Sequence, residues 1–383
     1  MSLIYLDNNA TTLIHPDVSA VVSSTLAKQF ANPASQHQAG RLARQNLESS
    51  RKTVSDCLGL SENDRFLFTS GGTEANNLAI LGHFPCNESL VGKNIVASSL
   101  EHPSVQTALE FLESRGLEIR WVLPNALGVV EAADFIDRFD THTKLACCTL
   151  ANGDIGTIQP VDQIGQACCD SKIPFHVDAV QAVGKIEFDF PSLNCTSSSI
   201  SAHKIHGPTS VGGLMLKHGL KIDPLFWGGF QQDGIRPGTE SISCAAGLSK
   251  SLEIATVSLF SNTALVRSLR DEFEELVLSK INCAQINGFQ ANRLCNTTNI
   301  SFLGVDRQQF VIAADLAHLA CSTGSACSSG SSQPSPALAS MNCPKEVTDS
   351  AVRFGFSSFN HRSDVFRAVD LIASIISKIK APK

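Results

Sequence analysis

Short apolar runs alternate with longer amphipathic segments along most of this chain. The runs have the length of strands, and the segments between them place apolar residues at helical spacing. Because the alternation recurs many times, it predicts an α/β layer structure. The predicted strands are residues 66–69, 94–97, 118–122, 144–148, 175–177 and 198–200.

The length of the chain predicts more than one hydrophobic core. A single core rarely supports 383 residues, so we expect a larger and a smaller domain. Residues 249–280 contain few helix breakers, and Leu265, Leu269, Phe273 and Leu276 recur there at helical spacing. This stretch predicts one long helix that connects the domains.

Charge and hydropathy exclude several classes of protein. The net charge of -6 and the lack of a long apolar run argue against binding to nucleic acid or insertion in a membrane. The first residues lack the basic and apolar regions of a secretory signal. Thirteen cysteines, an odd number, therefore indicate reduced thiols in the cytoplasm. We expect the adjacent cysteines at 147–148 and 168–169 to pack in the core.

A lysine and a carboxylate stand close to the ends of two predicted strands. Residues 201–208 place Lys204 between two histidines in a turn bounded by serine, glycine and proline, and Asp178 follows the apolar run 175–177. A pyridoxal 5'-phosphate site requires this pairing, because a lysine binds the aldehyde as a Schiff base and a carboxylate keeps the pyridine nitrogen protonated. The sequence therefore predicts a pyridoxal phosphate enzyme.

A glycine-rich motif follows the first predicted strand and opens a predicted helix: residues 70–77, Ser-Gly-Gly-Thr-Glu-Ala-Asn-Asn. Glycines let backbone amides approach a phosphate, and the helix N-terminus adds a partial positive charge. Thr73 has two interpretations, a phosphate ligand or the N-cap of the helix. His102, after the next strand, is either an ordinary surface residue or an imidazole that stacks on the cofactor and transfers protons.

Further polar residues flank the lysine and the carboxylate. Gln181 can donate to the phenolate oxygen of the cofactor, and Ser201 and His203 can donate to its phosphate. His203 and His206 lack a third ligand, so we do not expect a metal site. Arg353 interrupts an apolar run, where an arginine either forms an ion pair or binds a carboxylate in bidentate fashion.

A stretch rich in serine and glycine, residues 322–335, carries Cys327. Its composition is typical of a loop, and the ordinary interpretation is a solvated linker. An exposed thiol on such a loop is chemically vulnerable, so the alternative is that Cys327 is kept for its reactivity. Cys321, earlier in the chain, has apolar neighbours that favour a buried strand position.

Together these motifs resemble those of the cysteine desulfurases, the class V aminotransferase-like branch of the fold type I pyridoxal phosphate enzymes. The resemblance begins at residues 5–12, Tyr-Leu-Asp-Asn-Asn-Ala-Thr-Thr, includes residues 31–35, Ala-Asn-Pro-Ala-Ser, and continues to Arg353. The loop around Cys327 is similar to the longer type, found in the branch that serves nitrogenase and general iron–sulfur assembly.

The resemblance implies a fold of two domains. A large domain, residues 14–255, would contain a mostly parallel seven-stranded sheet sandwiched by helices. A smaller α+β domain, residues 1–13 and 256–383, would carry the catalytic cysteine on the loop 322–335. The resemblance also implies a homodimer, because Thr239 would complete the phosphate site of the neighbouring chain.

The resemblance assigns a role to each candidate residue. Lys204, His102 and Cys327 act on the reacting atoms, as the Schiff-base lysine, a proton shuttle stacked on the ring and the nucleophile. Asn32 and Arg353 hold the substrate carboxylate. The cofactor is bound by Gly72, Thr73, His102, Asp178, Gln181, Ser201, His203, Lys204 and, from the other subunit, Thr239.

The implied reaction converts L-cysteine to L-alanine. The sulfur passes to Cys327 as a persulfide and then to an acceptor protein such as an iron–sulfur scaffold.

Two departures from the family pattern bear on this reaction. Gly153 replaces an asparagine that contacts the phenolate oxygen, a loss of about 1 kcal/mol of hydrogen bonding. Residues 355–358 replace the family's Ser-Leu-Gly-Arg, so that arginine is missing.

Two other functions stay open at this point. A selenocysteine lyase or a class V aminotransferase would share Lys204 and Asp178, but transamination needs no thiol at Cys327. A weakly active scaffold of cluster assembly would bind the cofactor, although it has no physical need for His102 and Arg353 as well. Because these residues occur together, we expect a desulfurase.

Overall fold

The computed structural model describes residues 3–85, 87–324 and 334–380, in which helices and strands alternate. The strands are β1 (Ile4–Tyr5), β2 (Arg65–Thr69), β3 (Asn94–Ser98), β4 (Glu118–Val122), β5 (Thr143–Thr149), β6 (Phe175–Asp178), β7 (Ser197–Ser201), β8 (Gly212–Leu216), β9 (Ala284–Ile286), β10 (Thr297–Phe302), β11 (Leu319–Ala320) and β12 (Ala351–Gly355). The helices are α1 (Pro16–Lys28), α2 (Gln38–Cys57), α3 (Gly72–Leu81), α4 (Pro103–Ser114), α5 (Ala132–Ile136), α6 (Val161–Asp170), α7 (Ile242–Val257), α8 (Leu259–Lys280), α9 (Arg307–Leu316), α10 (Pro336–Ser340), α11 (Lys345–Asp349) and α12 (Arg362–Lys380).

Within the described residues, seven strands form the main sheet in the order β2-β8-β7-β6-β5-β3-β4. Neighbouring strands run parallel except at β8, which is antiparallel to β2 and β7. Every residue of β3 and β6 is buried, as expected for parallel strands that helices cover on both faces. The prediction of an α/β fold with a mostly parallel seven-stranded sheet is confirmed.

The strand β8 is the member of this sheet that the sequence does not predict. It begins with two glycines, which are uncommon in strands and hide its pattern. A Cβ atom on Gly213 would lie 1.9 Å from the ring of Phe66 on β2. The glycine therefore leaves room for an aromatic ring that crosses the neighbouring strand.

The prediction of one long helix over residues 249–280 is wrong. Two helices, α7 and α8, meet at Ser258. The Ser258 hydroxyl donates to the carbonyl oxygen of Ile254 at 2.6 Å, and Asn262 Nδ2 donates to Ser258 Oγ at 2.7 Å. Serine side chains that bond to the nearby backbone compete with helix continuation, which explains the break.

A second group of elements has an apolar core of its own. It contains the antiparallel sheet β12-β10-β9 and the parallel pair β1-β11. Ile4 and Leu6 join apolar side chains of residues 266–376 in this core. The domain boundaries, residues 14–255 against 1–13 and 256–383, stay a prediction.

The adjacent cysteines divide between the core and the surface. Cys147, Cys148 and Cys168 are buried as predicted, but Cys169 is exposed, so the prediction is wrong at that position. Successive residues of the helix α6 face different directions, and only one of its two cysteines can point inward.

None of the helices in the described ranges has the length and hydropathy of a membrane span.

A buried ion pair between Glu274 and Arg293 joins α8 to the segment after β9. Glu274 accepts two hydrogen bonds from Arg293, at 2.7 and 2.9 Å, and each side chain is 5% exposed. We expect Glu274→Ala to lower the free energy of unfolding by about 3–5 kcal/mol, because a buried guanidinium loses its counter-ion. Urea denaturation measures this loss.

The matched control for this prediction is Glu272→Ala on the same helix. The partner of Glu272, Arg362, is 72% exposed. Water therefore replaces the interaction easily, and the loss should not exceed about 1 kcal/mol. Equal losses in the two variants would contradict the stabilising role of the buried pair.

Candidate active site

The carboxyl ends of the parallel strands meet at one edge of the main sheet, at a cavity of about 350 Å³. The segments that follow β2, β3, β5, β6 and β7 contribute to its wall. The structure brings together most of the residues predicted from the sequence. Those that line the cavity are Gly72, Thr73, His102, Asp178, Gln181, Ser201, His203, Lys204 and Arg353.

One end of the cavity is built to hold an anion. The helix α3 begins at Gly72, and its N-cap residue is Gly71, with no side chain that caps the helix. The interpretation of Thr73 as the N-cap is therefore wrong. Ser201 Oγ is buried and has no hydrogen-bond partner within the described residues. A Cβ atom on Gly71 would lie 3.9 Å from this oxygen, so an unsatisfied hydroxyl stands beside uncapped amides.

Lys204 and His203 follow β7 in a short 3-10 turn. Lys204 Nζ donates to the carbonyl oxygens of Asn9 at 2.5 Å and Ala10 at 2.7 Å. His203 Nδ1 lies 3.2 Å from Thr11 Oγ1. Burial, and then the charge of Lys204, lowers the pKa of His203 to about 4, so its neutral ring can donate one N–H near neutral pH.

Asp178 is buried at the carboxyl end of β6. Its Oδ2 accepts from Asn76 Nδ2 at 2.8 Å, and its Oδ1 accepts from the backbone N–H of Val180 at 2.9 Å. Glu101 lines the same cavity, and burial, followed by the nearby Asp178, raises the pKa of Glu101 well above its usual range. Burial thus disfavours the charged form of Glu101, whereas both oxygens of the Asp178 carboxylate accept hydrogen bonds from N–H groups.

Gln181 connects the N-terminal segment to a half-buried lysine. Gln181 Nε2 donates to the carbonyl oxygen of Asn9 at 3.1 Å, and its Oε1 accepts from Lys185 Nζ at 3.1 Å. Burial, and then Lys204, lowers the pKa of Lys185 to about 7. A Cβ atom on Gly153 would lie 3.2 Å from Gln181 Nε2. An asparagine side chain at position 153 would therefore lie too close to the Gln181 amide, which would have to move.

Arg353 lies between two carboxylates. Its Nη2 donates to Asp7 Oδ1 at 2.9 Å, and its Nη1 lies 3.3 Å from both Asp154 Oδ1 and the carbonyl oxygen of Gly324. Arg353 Nε is buried without a partner in the described part of the chain. The arginine thus forms ion pairs, and its side chain also lines the cavity.

The structure does not bring every candidate to the cavity. Asn32 and Thr239 are exposed and do not line it, and Asn32 Oδ1 accepts from the backbone N–H of Ala34. Cys327 lies outside the described residues. Cys321 is half-buried and lies directly after β11, so the predicted buried strand position is wrong, although partial burial still raises the pKa of its thiol.

Sequence reasoning missed several polar residues that line the cavity. Asn9 and Asn76 lie within the motifs 5–12 and 70–77, but an amide inside a motif does not reveal which atom it contacts. Glu101 and Asp154 each follow a predicted strand closely, a signal that could have found both. No group of three or more potential metal ligands occurs among the described residues.

His176 makes the native state sensitive to acid. Its Nε2 lies 3.0 Å from Asn76 Oδ1, and burial lowers its pKa from 6.5 to about 4. Between these pH values the unfolded chain binds a proton that the native state does not, so stability falls as the pH falls. We expect His176→Gln to weaken the dependence of unfolding free energy on pH by up to about 1.4 kcal/mol per pH unit. Urea denaturation at several pH values between about 4 and 6.5 measures this change.

A surface histidine provides the control for this measurement. His218 is exposed, and His218→Gln should leave the dependence of stability on pH as it is in the wild type. If His176→Gln and wild-type protein lost stability at the same rate on acidification, the buried ring of His176 would not be the cause.

Comparisons with known proteins reveal relatives along the whole chain. The Aminotransferase class-V family matches residues 4–367. A cysteine desulfurase IscS of Dictyoglomus turgidum is 36% identical over 98% of this chain and 95% of the relative. A cysteine desulfurase of Bradyrhizobium diazoefficiens is 37% identical over 99% of this chain and 95% of the relative.

Solved structures have the same fold. A NifS-like protein gives a TM-score of 0.91 at 28% identity, over 98% of this chain and 100% of the other. SspA in complex with cysteine gives a TM-score of 0.81 at 27% identity, over 93% of this chain and 99% of the other. The family match, the relatives and the shared fold agree with one another. The chain therefore belongs to the class V aminotransferases and, within them, to the cysteine desulfurases.

Proposed function

We propose that this chain converts L-cysteine to L-alanine with pyridoxal 5'-phosphate and takes up the sulfur as an enzyme persulfide. The observation that supports this most directly is the cavity that Lys204 and Asp178 line together. Membership of the family adds to it, because class V aminotransferases and cysteine desulfurases depend on this cofactor.

The residues of the cavity fit the cofactor group by group. The uncapped start of α3 and the hydroxyl of Ser201, unpartnered within the described residues, match a phosphate. The buried carboxylate of Asp178 matches a protonated pyridine nitrogen, and Lys204 supplies the amine that binds the aldehyde. Gln181 would donate to the phenolate oxygen, and His102 would stack on the ring.

When bound, pyridoxal phosphate supplies an electron sink that weakens the bonds at the substrate Cα and, through it, the Cβ–S bond. Asp178 would hold a proton on the ring nitrogen, and His102 would exchange protons with the substrate. Arg353, which lines the cavity, would bind the substrate carboxylate, with Asn32 as a second donor. The ion pairs that Arg353 forms keep its guanidinium oriented for this contact.

We assign the sulfur step to Cys327. Its thiolate would attack the sulfur of the bound cysteine while the Cβ–S bond breaks and Cβ gains a proton. L-cysteine and one enzyme thiol thus yield L-alanine and one enzyme persulfide, with no outside oxidant or reductant. The terminal sulfur would then pass to a thiol of an acceptor protein, for which we propose an iron–sulfur scaffold.

The exposed apolar surface supports a homodimer. Thr239 and Asn32, which do not line the cavity of their own chain, lie close in sequence to Phe230 and Phe30, which are 95% and 90% exposed. Trp227, in the same segment as Phe230, is 82% exposed. Apolar side chains exposed to this extent favour a protein partner. A second copy of the chain would bring Thr239 to the phosphate.

The thiols support a reducing compartment. Eleven cysteines are unpaired in the described part of the chain. Thiols stay unpaired where glutathione and thioredoxin keep them reduced, whereas secreted proteins form disulfides. We therefore propose that the protein works in the cytoplasm, where L-cysteine and sulfur-acceptor proteins also meet.

A single turnover with L-cysteine tests the assignment of the nucleophile. Wild-type protein should form stoichiometric L-alanine and a persulfide on Cys327, measured by mass spectrometry. Cys327→Ser should bind the cofactor with unchanged visible absorbance but form no persulfide. Cys321→Ser is the matched control, because burial raises the pKa of this thiol and the variant should react like the wild type.

Other outcomes of this experiment would favour the other functions. Normal turnover by Cys327→Ser would favour a lyase or an aminotransferase, which needs no thiol. Cofactor absorbance without alanine or persulfide would favour a scaffold, and Gly153→Asn would then test the missing contact. Lys204→Ala should lose the absorbance of the bound cofactor, and an unchanged spectrum would contradict its role.

The dimer is tested by charge on the exposed aromatic surface. We expect the double variant Trp227→Asp and Phe230→Asp to be monomeric in analytical ultracentrifugation, because a carboxylate in the interface lacks a partner. Cofactor affinity should fall about tenfold when the contribution of Thr239 is lost. Leu316→Asp is the control, since Leu316 is 79% exposed elsewhere. A dimeric double variant would contradict the proposed interface.

A further inference from the structure

A continuous chain of hydrogen bonds joins Asp178 to His102 through two buried side chains. Asn76 Nδ2 lies 2.8 Å from Asp178 Oδ2 and 2.9 Å from Ser104 Oγ. Ser104 Oγ in turn lies 2.8 Å from His102 Nδ1. The chain therefore connects the predicted partner of the pyridine nitrogen with the histidine that would stack on the same ring.

The donors and acceptors in this chain can be assigned in only one order. The Asp178 carboxylate accepts, so the amide nitrogen of Asn76 must face it, and this nitrogen also donates to Ser104 Oγ. Ser104 Oγ then has its own hydrogen left for His102 Nδ1. The backbone N–H of Ser104 donates to the same nitrogen at 3.1 Å. His102 Nδ1 therefore carries no proton, and the neutral ring holds its proton on Nε2.

A second histidine contacts the other end of the Asn76 amide. His176 Nε2 lies 3.0 Å from Asn76 Oδ1, and His176 Nδ1 lies 2.9 Å from Ser197 Oγ. Burial lowers the pKa of His176 to about 4, so its ring is neutral near neutral pH. Because the amide nitrogen of Asn76 faces Asp178, Asn76 Oδ1 accepts from the Nε2–H of this ring. A reversed amide would set its oxygen against the Asp178 carboxylate, which is repulsive.

We propose that Asn76 is a positioning residue that turns the Ser104 hydroxyl toward His102 and so reinforces the Nε2–H tautomer that the backbone N–H of Ser104 also favours. This inference deepens the proposed function and rests on it, because it specifies the state in which His102 meets the cofactor and the substrate. The resting ring presents an N–H group. It accepts a proton only when the contacts from Ser104 to Nδ1 break, since a hydrogen on Nδ1 would face the backbone N–H of Ser104.

The test measures the tautomer of His102 in the protein loaded with pyridoxal phosphate, by imidazole nitrogen NMR after histidine labelling. His102→Gln identifies the resonances. Wild-type protein should show an unprotonated Nδ1. Ser104→Ala leaves the backbone N–H of residue 104 as the remaining donor to Nδ1, and Asn76→Ala frees the Ser104 hydroxyl to accept instead of donate, so each variant should add a minor population protonated at Nδ1. Because both residues act through the same series of hydrogen bonds, the double variant should match Ser104→Ala. The kcat for alanine formation should fall by up to about 10²-fold in Asn76→Ala, with KM little changed.

The neighbouring asparagine is the matched control. Asn77 Nδ2 donates to the backbone carbonyl of Ser104 at 2.9 Å and so joins α3 to α4 without contact to the Ser104 hydroxyl. Asn77→Ala should keep the tautomer of His102 and the wild-type kcat. If Asn76→Ala does not fold, Ser104→Ala gives the same test.

Three results would overturn the proposal. They are a wild-type ring protonated at Nδ1, an unchanged tautomer in both Asn76→Ala and Ser104→Ala, and an equal change in Asn77→Ala. The tautomer is measured without turnover of cysteine. A protein that shows the expected tautomers but releases no alanine would therefore contradict the proposed function and leave the role of Asn76 intact.

Discussion

The direction of the strands in the main sheet is the constraint on which the site depends. Because β3, β5, β6 and β7 run parallel, their carboxyl ends reach one edge, and the turns after them bring distant parts of the sequence together. His102 follows β3, Asp178 ends β6 and Lys204 follows β7. The antiparallel strand β8 ends at the opposite edge, and the segment after it contributes nothing to the cavity.

Buried charge joins this edge to the second sheet. Arg353 lies on β12, and its guanidinium pairs with Asp7 after β1 and with Asp154 after β5. A buried guanidinium is costly without such partners, so the pairs favour the arrangement in which the N-terminal segment and the small sheet meet the cavity. The same segment accepts hydrogen bonds from Lys204. The lysine and the arginine are thus positioned by one stretch of chain.

Much of the fold follows from local pattern. All six predicted strands occur, because buried parallel strands are short apolar runs that stand out between amphipathic helices. The break at Ser258 was not predictable from apolar spacing, since it depends on a hydroxyl that bonds to the backbone. Most candidate residues line the cavity, but Asn32 and Thr239 do not. The role predicted for Thr239 would need a neighbouring chain, and that of Asn32 would need the segment after α1 to reach the cavity, and local pattern reveals neither.

The sequence by itself determined which chemical groups stand at the strand ends and to which family they belong, because both depend on residue type and order along the chain. Tertiary structure alone decided which atoms meet. Asn76 and Asp178 are 102 residues apart in the chain, and Asn76 and His176 are 100 apart. Hydrogen bonds act only over short distances and in defined directions. The orientation of Asn76, and with it the direction in which the Ser104 hydroxyl points, therefore exists only once the sheet has brought these side chains together.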